Sequence, residues 1–253
     1  MPGGSGDLAL GLADPVSAAE RQVDKRRRWT DLRMRILSAS VLGPLALLCL
    51  WVGNPAWFLL VAIGGIVMAL EWIQLCGAGT QALPMPAALL AIGGIAYFGL
   101  AGSALIWLRG DDPAGRLNAL FLVIVVWASD SGAYLCGRLF GGPRLAPRIS
   151  PAKTWAGAAG GLVLAVIAGL ALGVVAHATL LGRNVAAAAL LAVVAQAGDL
   201  AESFIKRRFG VKDTSRLIPG HGGFLDRLDG VLAAAPMAAL LALMLGPGVL
   251  LWQ

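Results

Sequence analysis

Residues 184–208 read NVAAAALLAVVAQAGDLAESFIKRR. The stretch opens with fifteen uncharged residues, Asn184 to Gly198, and then changes character at Asp199. An apolar run that approaches ~20 residues is a candidate membrane crossing. If the helix continues through the charged end, Asp199, Glu202, Ser203 and Lys206 fall at i, i+3, i+4 and i+7 and share one face. Two carboxylates, a hydroxyl and an ammonium on one stripe suit a metal carrying a phosphate. A solvated helix end with an internal ion pair would account for Glu202 and Lys206 equally well. Asp199 sits too deep in the apolar run for that bland reading.

The rest of the chain agrees with a membrane setting. Of 253 residues, 58% are hydrophobic and 13% charged, with a mean hydropathy of +0.78. Soluble domains average about 45–50% apolar and about 25% charged residues. This composition excludes an ordinary soluble domain, a disordered chain and a disulfide-stapled secreted module. Cys49, Cys76 and Cys136 are odd in number and set in apolar runs, so they read as small hydrophobes. Breakers between apolar runs predict an all-α polytopic transmembrane helix bundle of about seven spans, at 36–52, 56–75, 84–107, 117–137, 155–180, 184–203 and 230–251. The glycines at 93–94 and 99–102 could interrupt the third. Gly157, Gly160 and Gly161 on the fifth suit close helix packing. Trp51, Trp57, Trp72, Trp107, Trp155 and Trp252 fall near span ends, as in an aromatic belt.

Residues 1–35 are read as a polar cytoplasmic tail ending in the basic run 25–28, the reverse of a signal peptide's order, and 36–253 as the transmembrane domain, where any catalytic function is expected. With the N-terminus cytoplasmic, seventeen of the twenty Lys and Arg residues fall on the inner side, leaving Arg109, Arg116 and Arg183 outside. That asymmetry satisfies the positive-inside rule. It also explains the net charge of +6 without nucleic acid as a partner.

Outside the tail and the Asp111-Asp112 pair, the acids are Glu71, Asp130, Asp199, Glu202, Asp213, Asp226 and Asp229. The topology places all seven toward the cytoplasmic side. A transporter would be expected to keep its ionisable residues near the midplane; an enzyme joining a cytosolic polar substrate to a membrane lipid would gather them at one interface. Lys212-Asp213 is followed by Pro219-Gly220-His221-Gly222-Gly223, a loop whose glycines let backbone N–H groups approach a phosphate. His221 could donate to phosphate, act as acid or base, or cap the turn. Asp226 and Asp229 open the last helix at i, i+3 and can face Asp199; paired carboxylates on neighbouring helices suit Mg²⁺, which takes one or two of them plus phosphate oxygens. Trp127, Asp130 and Tyr134 recur at helical spacing, and Ser150, Lys153 and Thr154 precede a helix N-terminus, an anion site or simply a capped start.

Together these residues resemble the phosphatidate cytidylyltransferase (CDP-diacylglycerol synthase) family. The likeness is densest over the 27 residues from Ser203 to Asp229, which carry S-x-x-K-R, then K-D, then P-x-H-G-G-hydrophobic-x-D-R-x-D. Gly198-Asp199-Leu200, the Asp130/Tyr134 helix and Ser150-Pro151 with Lys153-Thr154 extend it to roughly residues 127–230, and Glu71-Trp72 is a more general likeness. The chain departs from the pattern at Ala152, Ala156 and Gly230.

The resemblance implies the reaction CTP + phosphatidate → CDP-diacylglycerol + pyrophosphate at the cytoplasmic face of a bacterial inner membrane. It implies Asp199, Asp226 and Asp229 as ligands of Mg²⁺, with room for a second cation. Lys206 joins them in catalysis. Arg207, Lys212 and Arg227 would grip phosphates, and Ser203, Asp213, His221, Gly222, Gly223, Asp130, Ser150 and Lys153 would shape the substrate pocket. Partners are then CTP, phosphatidate and membrane lipid, with a homodimer left open. The alternatives are another CTP-using lipid enzyme, such as a polyprenol or phytol kinase-like protein or a cytidylyltransferase for a different lipid phosphate, and, more distantly, an ion-coupled transporter.

Overall fold

The computed structural model describes residues 40–78, 86–177, 180–215, 222–246 and 248–252. The tail, the start of the first span and His221 lie outside them. The described chain forms helices α1 (Ser40–Val52), α2 (Ala56–Ala78), α3 (Ala87–Arg109) and α4 (Pro113–Phe140), a hairpin of β1 (Arg144–Ala146) and β2 (Ser150–Thr154), then α5 (Trp155–Val175), α6 (Leu181–Arg208) and α7 (Leu225–Leu245). Six of the helices, α2 to α7, are long and apolar enough to cross a bilayer, and α1 is a shorter apolar helix. The molecule is a polytopic helical membrane protein.

Each helix has a local cause. Asp112 starts α4 four residues before the expected boundary: its side chain accepts the Gly115 N–H at 2.9 Å, and Pro113 occupies the first turn. Thr154 caps α5 in the same way, accepting from Gly157 N at 3.0 Å. The glycines of α3 do not break it. Gly94 makes room for the Trp72 ring, with which a Cβ would collide, and Trp72 Nε1 donates to the Leu90 carbonyl at 2.9 Å. Helices α6 and α7 carry their charged ends inside the helix rather than in flanking loops. At those ends both run past the expected limits, α6 to Arg208 and α7 from Leu225, whereas at its other end α7 stops at Leu245, short of the expected 251.

Hydrophobicity does not hold helices together in lipid; close packing of small residues does. A Cβ on Gly132 would lie 2.6 Å from the Gly160 carbonyl, and one on Gly161 would lie 2.7 Å from that of Ser129. Helices α4 and α5 thus meet backbone to backbone along glycine, as the sequence suggests. Gln196 Nε2 ties the same corner, donating to Ser129 Oγ at 3.1 Å and to the Ala158 carbonyl at 3.2 Å. The outer face of α5, with Val163, Ile167 and Val174, stays exposed, as a lipid-facing surface should.

Two expectations need correction. The segment 144–154 is an antiparallel hairpin rather than plain loop. The tryptophans also divide: Trp51, Trp107 and Trp155 are exposed, while Trp57, Trp72 and Trp252 are buried core residues. Trp57 Nε1 reaches the Leu105 carbonyl at 3.1 Å, and the Trp252 ring lies 4.5 Å from that of Phe121. A buried indole needs neighbouring helices around it, and nearness to a span end does not reveal that.

Candidate active site

Helices α4, α6 and α7 converge with the hairpin on an open cleft of about 1630 Å³. One wall is apolar, built by residues such as Leu42, Ile66, Met68, Ile95 and Phe98 from α1 to α3. The other end carries Asp130, Lys153, Asp199, Lys206, Asp226 and Asp229. The cleft exceeds the roughly 300–1,000 Å³ of a drug-sized pocket and has room for two substrates.

Glycine sets the approach of α6 to α7. A Cβ on Gly198 would collide with Ala233 and stand 3.2 Å from the Asp229 carbonyl. With no side chain there, Asp199 and Asp229 come within hydrogen-bonding reach of each other, and Glu202 joins them. Gly230, one of the departures from the family pattern, sits where a Cβ would press to 3.3 Å from Val126 Cγ1 on α4.

The helical stripe of α6 is as the spacing requires. Ser203 Oγ lies 3.5 Å from Asp199 Oδ1, and Lys206 Nζ lies 3.3 Å from Glu202 Oε1. Lys206 also forms a 2.6 Å ion pair with Asp226 Oδ1 across to α7. The second oxygen of Asp226 accepts from Thr214 N at 3.0 Å, Thr214 Oγ at 3.1 Å and Gly223 N at 2.9 Å. Asp226 is thereby fixed in place by donors on both sides of the glycine loop. Lys153, from β2, pairs with Asp199 Oδ2 at 2.6 Å. Asp130 lines the same space from α4, and its charge couples to Asp199, Asp229 and Lys153.

Other expected site residues stand at the rim. Lys212, Asp213, Arg227 and Ser150 line the cleft, and Gly222 adopts a positive φ of 84° that favours glycine. Arg207 also borders it but spends two donors on backbone, Nε to the Ile149 carbonyl and Nη1 to that of Val211, each at 3.1 Å. It fastens the hairpin to the end of α6. Gly223 is buried in the loop against Thr214. His221 is outside the described residues.

The donor chemistry fits a hard divalent cation. Four carboxylates that line the cleft, Asp130, Asp199, Asp226 and Asp229, with Glu202 beside them, lie near the cationic Lys153, Lys206 and Arg227. Glu202 is shielded from solvent and meets the Lys206 ammonium at 3.3 Å. No three carboxylate, histidine or cysteine side chains among the described residues form a ready-made cage. These acids would therefore hold Mg²⁺ only together with water and phosphate oxygens, the ligands it keeps besides one or two carboxylates.

Sequence reasoning did not find the role of Glu71. This α2 residue is 4% exposed, and its carboxylate faces the start of α7. Its sequence signals are an acid near the end of an apolar run and the general likeness of Glu71-Trp72 to the family.

Comparison with known proteins gives the family. The model of the Cytidylyltransferase family matches residues 86–245, which include every cleft helix from α3 to α7. The phosphatidate cytidylyltransferase of Brucella suis biovar 1 (strain 1330) is 39% identical over 248 residues, covering 82% of this chain and 92% of that protein. That of Rickettsia felis (strain ATCC VR-1525 / URRWXCal2) is 31% identical over 82% of this chain and 90% of its own length. That of Haemophilus influenzae (strain ATCC 51907 / DSM 11121 / KW20 / Rd) reaches 49% identity over 131 residues, 50% of this chain and 46% of that protein. The chain belongs to the cytidylyltransferase family, with phosphatidate cytidylyltransferases as its relatives.

Proposed function

We propose that this protein transfers the cytidylyl group of CTP to phosphatidate, giving CDP-diacylglycerol and pyrophosphate, at the cytoplasmic face of a bacterial inner membrane. The observation that carries the reading is the two-sided cleft, whose apolar wall from α1 to α3 leads to an end of carboxylates and lysines. Acyl chains suit the first and phosphates the second.

A phosphate monoester is already an anionic nucleophile. Its oxygen attacks the α-phosphorus of CTP, the bond to the β-phosphate oxygen breaks, and pyrophosphate leaves with its electron pair. Positioning and charge neutralisation are what such a reaction needs most. Asp199 and Asp229 are the residues best placed to hold Mg²⁺, with Asp226 completing the site from its fixed position. When bound there, Mg²⁺ supplies neutralisation of phosphate charge and alignment of the attacking and leaving oxygens. Lys206 bridges Glu202 and Asp226, Lys153 pairs with Asp199, and both would add positive charge toward the phosphates. Lys212 and Arg227 at the rim attract the triphosphate, and Ser203, Ser150, Asp130, Asp213, His221 and the two loop glycines shape the pocket.

The test is pyrophosphate release by purified protein in lipid nanodiscs with labelled CTP, with and without Mg²⁺, against a panel of lipid phosphates. Turnover dependent on both CTP and phosphatidate is expected. Release with polyprenyl phosphate alone, or none with any lipid, would defeat the proposal.

A further inference from the structure

The start of α7 lacks a cap of its own: Phe224 stands at its N-cap and makes no side-chain capping bond. The first N–H groups of a helix need acceptors and favour negative charge. Both needs are met from α2. Glu71 Oε1 accepts from Phe224 N at 2.8 Å and from the Ser215 hydroxyl at 2.5 Å. Its Oε2 accepts from Leu225 N at 2.9 Å and faces the Thr214 hydroxyl at 3.5 Å. One buried carboxylate therefore grips the chain both before and after the loop that contains His221.

Two further observations tie this grip to Asp226. The same Thr214 donates N–H and hydroxyl to Asp226, and Gly223, one residue before Phe224, donates its N–H to the same oxygen. Gly223 must also be glycine for this arrangement: a Cβ would collide with the Thr214 hydroxyl and stand 2.9 Å from Glu71 Oε2. The neighbouring Trp72 packs edge-on against Phe209, just past α6, at 6.0 Å between rings. Adjacent residues of α2 thus hold the end of α6 and the start of α7.

We propose that Glu71 is a positioning residue that clamps residues 214–215 to 223–225 and so sets Gly223 and Asp226 in register with Asp199 and Lys206. The inference rests on the reading of that cleft as the nucleotidyl-transfer site. It assigns Glu71 no contact with substrate.

The experiment uses the full chain in nanodiscs as wild type, Glu71→Gln and Glu71→Ala. It reads amide hydrogen exchange alongside kcat and KM with CTP and phosphatidate. Exchange should rise at least about tenfold at 222–226 while α4 and α5 keep their protection. Because the clamp acts on geometry rather than lipid binding, kcat should fall about tenfold in Glu71→Gln and about a hundredfold in Glu71→Ala, with KM for phosphatidate nearly unchanged. Glu71→Gln keeps the length and one acceptor oxygen, so it remains informative if the alanine variant does not fold. Unchanged exchange at 222–226, or raised exchange with normal kcat, would overturn the proposal. So would a loss that vanishes once corrected for folded protein. Wild-type protein without CTP-dependent turnover would defeat the functional reading instead, and the exchange measurement would still decide whether Glu71 holds the loop.

Discussion

At the corner between α3 and α4, buried polar side chains are matched to backbone, whereas at the far end of α4 charged side chains also pair with one another. Arg109, 2% exposed, donates Nε to the Leu50 carbonyl at 2.6 Å and Nη1 to that of Gly110 at 2.7 Å. Asn118 donates to the Val249 carbonyl at 3.0 Å and accepts from Leu251 N at 2.8 Å, pinning the C-terminal segment. Around Asp199, by contrast, carboxylates from three helices crowd one space with two lysines between them. Polar groups in an apolar bundle are costly, so each must serve packing or chemistry. The first corner serves packing. The second gathers carboxylates from three helices around Lys153 and Lys206, the arrangement that the proposed cation and phosphates would use.

The comparison is broken most directly at Asp226. Asp226→Asn keeps the size and one acceptor but removes the charge a hard cation needs. Turnover should fall at least about a hundredfold in protein that remains folded and inserted. Asp199→Asn should behave alike, and the double variant should be little worse than either, since residues acting as one unit are not additive. Near-normal activity of Asp226→Asn at saturating CTP and ordinary Mg²⁺ would reduce Asp226 to a helix-start acid held by Lys206 and Thr214. A smaller loss, about tenfold, is expected for Lys153→Met, which removes the 2.6 Å partner of Asp199 without touching its carboxylate. Mn²⁺ binding followed by electron paramagnetic resonance should still be detectable in that variant; its loss would mean that Lys153 builds the cation site rather than balancing it.

What the sequence made legible follows from range. Asp199, Glu202, Ser203 and Lys206 lie on one helix, so spacing alone placed them on a common face, and the distances agree. Asp226 and Asp229 were legible as the opening of α7 for the same reason. Glu71 was not, because its partners Phe224 and Leu225 lie 153 and 154 positions away and nothing local marks an acid as a remote helix cap. Arg207 reads as a phosphate ligand from its motif, yet its donors reach Ile149, 58 positions back, because the hairpin that carries Ile149 was not foreseen. Buried Trp57, Trp72 and Trp252 failed alike: a hydropathy profile finds span ends but not which side of a helix meets its neighbours.

At the packing corner the expected effect is on stability and not on chemistry. Arg109→Met leaves the Leu50 and Gly110 carbonyls without their donor inside the bundle. Loss of charge-assisted bonds in a buried setting costs about 2–4 kcal/mol. Thermal unfolding should move down by several degrees, while kcat per folded molecule and its Mg²⁺ dependence stay at wild-type values. A fall in kcat without a fall in stability would show that the two ends of the bundle are coupled.

The smallest effect is expected at Asp112, which sharpens the contrast because it is an acid like those of the cleft. Its carboxylate sits at the start of α4 and accepts the Gly115 N–H at 2.9 Å, while Pro113 holds the first turn. Asn caps a helix about as well as Asp, since the capping bond needs an acceptor oxygen and not a charge. The remaining difference is the interaction of one exposed charge with the helix dipole, which salt screens. Asp112→Asn should therefore change neither the melting temperature measurably nor turnover beyond about twofold. The same substitution at Asp226 asks for a charge and not merely an acceptor, so the pair tests one chemical change in two settings. A strong loss at Asp112 would mean that charge at this corner matters to the reaction, and the division of the bundle into a packed end and a reactive end would fail.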